Sequence, residues 1–363
     1  MTLTPQINRL PPRTAPDLHQ PILIEYDRFP PSHVRPPTSK KSRIPAHRRH
    51  TDPVPVDLPW MESHARGLLR DVSRSFYLSL RALPPPVRGT LSLAYLLARA
   101  TDTFADSGTL TIPQRIEALD ATRAALVSEA GGIRLIDCAL AVVENEEHGL
   151  SPGESTLLHR LAEILAWYWA LPDVERALVR QALETIISGQ SADVTRTQIA
   201  TAEELDLYTF QVAGCVGEFW TRLSALKMPS FAKAPLDTLI DRGIRFGKGL
   251  QLINVLRDVS KDAAIGRSYL PGIAPTARPE EKWAAAQPWI ERCRHHLDQG
   301  RLYTHGVRGI RSRFVKWLPL RLAEETLTLI IAAGPAAMTV PVKVPRRRVR
   351  SIALGAWLRA LRP

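Results

Sequence analysis

The sequence predicts an all-α chain, on three observations. From about residue 60 onward, Ala, Leu, Arg and Glu fill long segments, and these residue types lose little on entering a helix. The β-branched, period-two alternation of strands is nearly absent. The segments are separated by proline and glycine punctuation such as "LPPPV" at 83–87 and "GRSYLPG" at 266–272.

The elements follow in order. Helices are predicted near 60–82, 86–107, 113–130, 132–147, 154–170, 173–189, 203–226, 235–262, 279–303, 311–333 and 345–361. The three consecutive prolines at 84–86 stop the first helix, because proline lacks the amide proton a helix interior needs. "SPGE" at 151–154 starts the fifth helix, with Pro152 just inside it. Gly266 and the residues after it end the helix over 235–262. Residues 58–363 read as one all-α domain. Residues 1–57 are rich in Pro, Arg and His and are predicted to be a disordered extension, since such a composition buries too little apolar surface to offset its ordering entropy. Within it, "PILIEYDRF" at 21–29 is a small apolar island.

The chain has 363 residues, 45% of them hydrophobic, enough for a sizeable core. No apolar run reaches 18 residues. The nearest, "LTLIIAAGPAAMTVPV" at 327–342, is interrupted by Gly334, Pro335 and Pro341; it reads as a helix end plus loop or as a membrane-surface segment. The opening "MTLTPQINRLPPRTAP" lacks the apolar stretch of a signal peptide. Cys138, Cys215 and Cys293 are too far apart for a zinc motif or a disulfide framework, which points to a reducing, cytoplasmic setting. The net charge is +12. Residues 1–50 hold nine Lys/Arg and three Asp/Glu, giving +6, and residues 343–363 hold seven and none, giving +7. The body between them is therefore near −1. This speaks against a nucleic-acid partner, which calls for a basic face on the folded domain.

The chemistry concentrates in two helices. "YLLARATDTFADS" at 95–107 carries Asp102 and Asp106 four residues apart, on one face, directly after an apolar run. "GLQLINVLRDVSKDAAIGRSYLP" at 249–271 repeats the arrangement with Asp258 and Asp262. There Gln251, Asn254, Asp258 and Asp262 form one polar stripe, while Leu252, Val255, Leu256 and Val259 cover the other faces. A polar stripe on an apolar helix is costly to bury unless its groups are satisfied. Two such helices facing each other would surround a cavity with four carboxylates, a set of hard oxygen donors suited to Mg²⁺ and its bridges to phosphate. Arg99, Arg257 and Arg267 recur beside these pairs, and "SRSFYLSLR" adds Ser73, Arg74, Ser75 and Arg81. Arginine forks match phosphate oxygens, so the residues together indicate a metal–diphosphate site.

These motifs resemble the squalene/phytoene synthase family, squalene synthases in particular. The likeness lies in SRSF followed by D-T-x-x-D, in "LYTFQVAGCVGEFW" at 207–220, and in N-x-x-R-D-x-x-x-D with its trailing G-R-x-Y-x-P. It spans about residues 60–275. The resemblance implies an isoprenoid-synthase-type helical bundle around a central apolar cavity. It also implies head-to-head condensation of two farnesyl diphosphates through a presqualene diphosphate-type intermediate to squalene or a related C30 product. Phytoene, dehydrosqualene and hydroxysqualene formation are the alternatives. By the same resemblance, Asp102, Asp106, Asp258 and Asp262 are the metal ligands and Tyr208 handles protons and cations. Ser73, Arg74, Ser75, Phe76, Arg99, Gln251, Asn254, Arg257, Arg267 and Tyr269 are the expected substrate contacts. Mg²⁺ is the implied cofactor, and NADPH dependence stays open. Phe76, Phe210, Phe219, Trp220 and Tyr269 are candidate cavity walls. Ala105 and Ser107 stand where squalene synthases commonly carry acidic residues, which removes carboxylates from the first motif and puts metal number in doubt. Both principal aspartate pairs remain, unlike in a non-catalytic assembly factor of the same fold, the rival reading.

Other chemistries fit poorly. "GIRFGKGL" lacks the spacing and the hydroxyl residue of a P-loop, and no G-x-S-x-G elbow exists. The basic segment 343–363 mixes Arg with Val, Ile, Leu and Trp at roughly helical spacing. It reads either as an amphipathic helix for peripheral membrane contact or as a terminal helix packed on the bundle.

Overall fold

Local capping chemistry sets where the helices begin. A computed structural model describes residues 58–73, 77–144 and 149–361, with side chains from residue 65 onward. The predicted extension over 1–57 lies outside the described residues, as do Arg74, Ser75 and Phe76. The helix predicted over 60–82 is described as α1 (Leu58–Ser73) and α2 (Tyr77–Ala82). α3 (Pro85–Asp106) opens on prolines whose missing amides would be unpaired there anyway. α4 (Ile112–Val127) and α6 (Pro152–His159) each start on a reciprocal capping box, Thr111 with Gln114 and Ser151 with Glu154. α5 (Gly131–Glu144) lies between them.

Three predicted boundaries differ from the structure. The helix predicted over 154–170 is divided at Arg160, whose backbone leaves helical angles, into α6 and α7 (Leu161–Trp169). The helix predicted to end at Gly189 continues to Thr195 as α8 (Asp173–Thr195). Gly189 does not stop it; a Cβ there would lie 2.8 Å from the Gln211 Cβ, so the glycine permits a close helix approach. The helix predicted over 203–226 is α9 (Ala202–Thr209), a π-helical turn over Phe210–Gly214, and α10 (Cys215–Lys227). Then come α11 (Leu236–Ala264), α12 (Pro279–His305), α13 (Ile310–Ala333), a short 3₁₀ turn over Gly334–Met338 and α14 (Arg346–Leu361).

Two apolar clusters form the interior. One joins α1 to α8 with α10, and the other joins α9 to α14. α10 crosses α11 so closely that a Cβ on Gly217 would stand 2.0 Å from the Gly243 carbonyl oxygen. The all-α expectation holds: the described residues contain isolated bridges at Gln198–Ser268 and Ala232–Val307 but no named strand. Of the two readings of 327–342, the structure gives the helix end plus loop, with Ala337 and Met338 buried. No helix among the described residues is long and apolar enough to cross a membrane.

Candidate active site

A cavity of about 180 Å³ opens between α2, α3, α8, α10 and the turn from α9 into the π segment. Its body is apolar, with walls from Leu91, Ala94, Leu183, Ile186, Phe219 and Trp220. Its polar lining comes from Arg99, Asp102, Asp106, Gln190, Asp193, Tyr208 and Arg267. One chamber therefore offers charge for a diphosphate and a greasy lining for a hydrocarbon tail.

α3 presents the first motif to this cavity. Gln190 Nε2 on α8 donates to Asp102 Oδ1 at 2.6 Å, and Arg99 Nη1 lies 3.8 Å from Asp102 Oδ2. Arg99 also donates to Glu154, so the guanidinium is a buried tie between α3 and α6. Burial pushes the Asp102 carboxyl up to about 7, against the opposing pull of Arg99 and Gln190. Burial, then the neighbouring Asp102, holds Asp106 well above the ordinary carboxylate range. Asp106 Oδ2 is buried with no hydrogen-bond partner among the described residues.

The second motif is arranged differently. Gln251 and Asn254 are buried: Gln251 Nε2 donates to the Tyr208 hydroxyl at 3.2 Å, and Asn254 Nδ2 donates to Gln251 Oε1 at 3.2 Å. Asp258 is paired with Arg257 and, at 3.2 Å, with Lys261 Nζ. Burial pushes its carboxyl upward, but these two cations outweigh burial and leave it below its ordinary value. Asp262 is pushed up to about 8 by burial, then by Asp258 and Asp193. Asp258 and Asp262 do not belong to the cavity lining, nor do Ser73, Gln251, Asn254, Arg257 and Tyr269. The Ser73 hydroxyl is buried and donates to the Leu69 carbonyl of its own helix. α3 packs on α8 while α11 packs on α10 and the π segment, so the two motifs meet across other elements.

Asp193, on the last turn of α8, stands between the motifs, and its charge acts on both Asp106 and Asp262. Its Oδ2 accepts from the Tyr269 hydroxyl at 2.7 Å and from Arg267 Nη1 at 3.3 Å. Its Oδ1 is buried without a partner among the described residues. Tyr269 stacks on Tyr208, with ring centroids 5.0 Å apart and 30° between planes, and the Arg196 guanidinium lies 5.9 Å from the Tyr208 ring centre. Reading from sequence missed Asp193 and Gln190 because Gly189 looks like a helix stop. Of the candidate walls, Phe219 and Trp220 line the cavity, whereas Phe210 borders a separate outer pocket.

The donor set suits a hard cation. The cavity carboxylates offer only oxygen, two of those oxygens are buried and unpartnered, and Asp102, Asp106 and Asp193 all lack enough local positive charge to ionise at their ordinary values. Among the described residues no three acidic, histidine or cysteine groups already stand close enough to grip an ion.

Comparison with known proteins identifies the family. Residues 69–349 match the squalene/phytoene synthase family model. A presqualene diphosphate synthase from Rhodopseudomonas palustris is 30% identical over 289 residues, covering 74% of this chain and 88% of that protein. A 15-cis-phytoene synthase from Synechocystis sp. is 26% identical over 315 residues, covering 81% and 84%. The chain spans less than half the length of bifunctional lycopene cyclase/phytoene synthases it also matches, 47% and 32% in the fungi Phaeosphaeria nodorum and Phycomyces blakesleeanus. Among solved structures, a ligand complex of TcSQS has the same fold, with a TM-score of 0.66 at 20% identity over 83% of this chain and 89% of that one. With Asp102 and Asp106 lining an apolar cavity and this match over most of its length, the chain belongs to the squalene/phytoene synthase family.

Proposed function

We propose that the protein condenses two farnesyl diphosphates head to head, through a presqualene diphosphate-type intermediate, to squalene or a related C30 product. The observation that carries the reading is the single chamber in which Asp102, Asp106, Asp193 and Arg267 share walls with Leu183, Ile186, Phe219 and Trp220. Asp102 and Asp106, with Asp258 and Asp262 from α11, would hold Mg²⁺, and that ion supplies positive charge to the departing diphosphate. Arg267, which lines the cavity, adds a fork for diphosphate oxygens. Loss of diphosphate leaves an allylic cation at C1 of one substrate. The C2–C3 double bond of the other attacks it, and loss of a proton closes the cyclopropane. The apolar walls exclude water from the cation, and the faces of Phe219, Trp220 and Tyr208 stabilise it. Burial and then Tyr269 hold the Tyr208 hydroxyl well above its ordinary value, which favours its protonated form. That hydroxyl can therefore donate to a departing oxygen or orient one.

The test is incubation of the purified protein with farnesyl or geranylgeranyl diphosphate and Mg²⁺, with and without NADPH, and mass spectrometry of the products. A C30 hydrocarbon or presqualene diphosphate from farnesyl diphosphate is expected. Exclusive formation of a C40 product would move the substrate assignment to phytoene synthesis. Asp102→Asn and Asp258→Asn should each lower turnover by at least ~100-fold with helicity unchanged; near-normal turnover in either would refute the metal assignment.

The same reading places α14 at an anionic membrane surface, where an apolar product can leave. Ile352, Ala356 and Ala360 bury one face of α14 in the bundle. Leu354, Trp357, Leu358 and Leu361 are exposed along another, at the three- and four-residue spacing of one helical stripe. Arg346, Arg347 and Arg350 crowd its first turns, the charge pattern that anionic headgroups attract.

A further inference from the structure

We propose that Asp193 is a positioning residue, one that holds Arg267 at the cavity wall and, through the Tyr269 ring stacked on Tyr208, sets the orientation of Tyr208. It belongs to neither aspartate motif, and the inference rests on the proposed prenyl condensation.

Two chain segments that leave long helices meet beside the cavity: residues 196–199 after α8 and residues 266–272 after α11. Backbone hydrogen bonds tie them, Ser268 N to the Thr197 carbonyl at 3.0 Å, Ile199 N to the Ser268 carbonyl at 3.0 Å and Gly272 N to the Ile199 carbonyl at 3.4 Å. Arg267 N is also anchored to the Asp262 carbonyl at 2.8 Å. The backbone ties fix where residue 268 lies, but they leave the long side chains on either side of it free to choose rotamers. Asp193 makes that choice. One carboxylate oxygen accepts from both Arg267 and Tyr269, and charge-assisted bonds of this kind are stronger and more directional than neutral ones. Tyr269 lies flat against Tyr208, and Gln251 holds the Tyr208 hydroxyl from the other side. The Tyr208 ring is thereby clamped between α11 and a loop whose aromatic side chain Asp193 controls. Arg196, which also faces Asp193 and Tyr208, screens the carboxylate's charge. Asp106 and Asp262 lie close enough to feel the Asp193 charge, and Arg267 and Tyr269 are the groups that hydrogen-bond Asp193 in return. Loss of the clamp should act as a small displacement of the reacting groups, and a misplacement near 1 Å costs about 100-fold in rate.

Steady-state kinetics of Asp193→Ala, Asp193→Asn, Tyr269→Phe and the Asp193→Ala/Tyr269→Phe double variant test the assignment. Asp193→Ala should lower kcat by roughly 10- to 100-fold and raise KM, because Arg267 is also released. Tyr269→Phe should lower kcat with little change in KM. In the Tyr269→Phe background, Asp193→Ala should still raise KM but add less than about threefold to the kcat loss, since coupled residues are not additive. Asp193→Asn, which keeps an acceptor for the Tyr269 hydroxyl and should fold normally, should retain most of kcat. Fully multiplicative kcat losses in the double variant would overturn the proposal and leave the prenyl synthase reading standing. A crystal structure of Asp193→Ala decides the matter without activity: the Tyr269 ring should leave its stack on Tyr208. An unchanged stack refutes the positioning role, whereas absence of turnover in the unmodified protein refutes only the reaction assigned to the cavity.

Discussion

Lys316 shows what a single residue can cost this fold. It is 3% exposed, and its ammonium sits 5.1–5.3 Å from the ring centres of Trp220, Phe231 and Tyr303. Its hydrogen bond goes to the Ser312 carbonyl of its own helix at 3.2 Å, and it forms no ion pair among the described residues. Burying an ammonium costs several kcal/mol, and cation–π contacts return about 2, so desolvation wins and lowers the amine to about 7. Lys316→Met should therefore stabilise the protein by about 1–2 kcal/mol at pH 6. The gain should shrink at pH 9, where the native amine is already neutral; urea unfolding at the two pH values checks both the sign and the trend. The cavity carboxylates act in the opposite direction. Asp102 and Asp262 hold protons in the folded state up to about 7 and about 8, well above their range in an unfolded chain. The folded state then binds more protons, so their contribution is fully present below pH 4 and is lost as pH rises through 7 and 8. In cation-free protein the melting temperature should fall between pH 5 and 7, a window in which Lys316 is mostly charged in both states. Mg²⁺ with inorganic diphosphate should reduce that fall. A flat profile without cation would contradict the buried, undercompensated cluster.

At the scale of elements, the crossing of α10 on α11 matters most, because α11 carries the second motif and Gln251, which donates to the Tyr208 hydroxyl on α9. Gly217 and Gly243 face each other there with no room for a methyl group; a Cβ on Gly217 would meet only backbone atoms of Gly243 and Ile244, which cannot swing aside as a side chain can. Gly217→Ala should cost about 2–3 kcal/mol and lower turnover as α11 shifts. A variant within about 0.5 kcal/mol of the parent in denaturant unfolding would show that the crossing tolerates separation. The π turn over Phe210–Gly214 belongs to the same junction. It inserts extra backbone between α9 and α10; Tyr208 and Val212 on either side of its start line the cavity, while Phe210 borders the other pocket and packs against the first apolar cluster. Gly189 matters for the same reason: the close pass of α8 against this turn lets α8 run on to Asp193.

At the scale of the whole molecule, the proposed membrane contact draws on the charge distribution and on the exposed stripe of α14. The chain's excess positive charge lies at its two ends, with a nearly neutral body between, so an anionic surface would orient the protein rather than coat it. Trp357→Ser with Leu358→Ser should lower flotation with phosphatidylserine-containing vesicles by at least about fivefold. Leu358 faces solvent, whereas Trp357 is also set edge-on against Phe314 with ring centroids 5.3 Å apart, so a thermal melt of the variant is compared with the parent and Leu358→Ser alone serves as the second variant. Equal flotation of parent and variant would dismiss the docking role, as would equal binding to purely zwitterionic vesicles. Concentration-dependent self-association lost in the same variant would instead identify the stripe as a contact between copies.

The amino-acid sequence by itself determined the helical class, most helix boundaries and both aspartate pairs. Proline starts, proline stops and three- and four-residue spacing act over a few residues of chain, so they are legible without a fold. Only the tertiary structure decided that Asp102 and Asp106 line the cavity while Asp258 is already paired with Arg257 and Lys261. Packing also decided that Gly189 permits an approach rather than ending a helix, that Lys316 is buried among rings, and that Asp193 joins Arg267 and Tyr269. Each of these depends on which distant segments pack together, and local periodicity carries no record of such partners. The chemistry of each side chain was written along the chain, but its neighbours, and hence its protonation and its role, were set by how the helices cross.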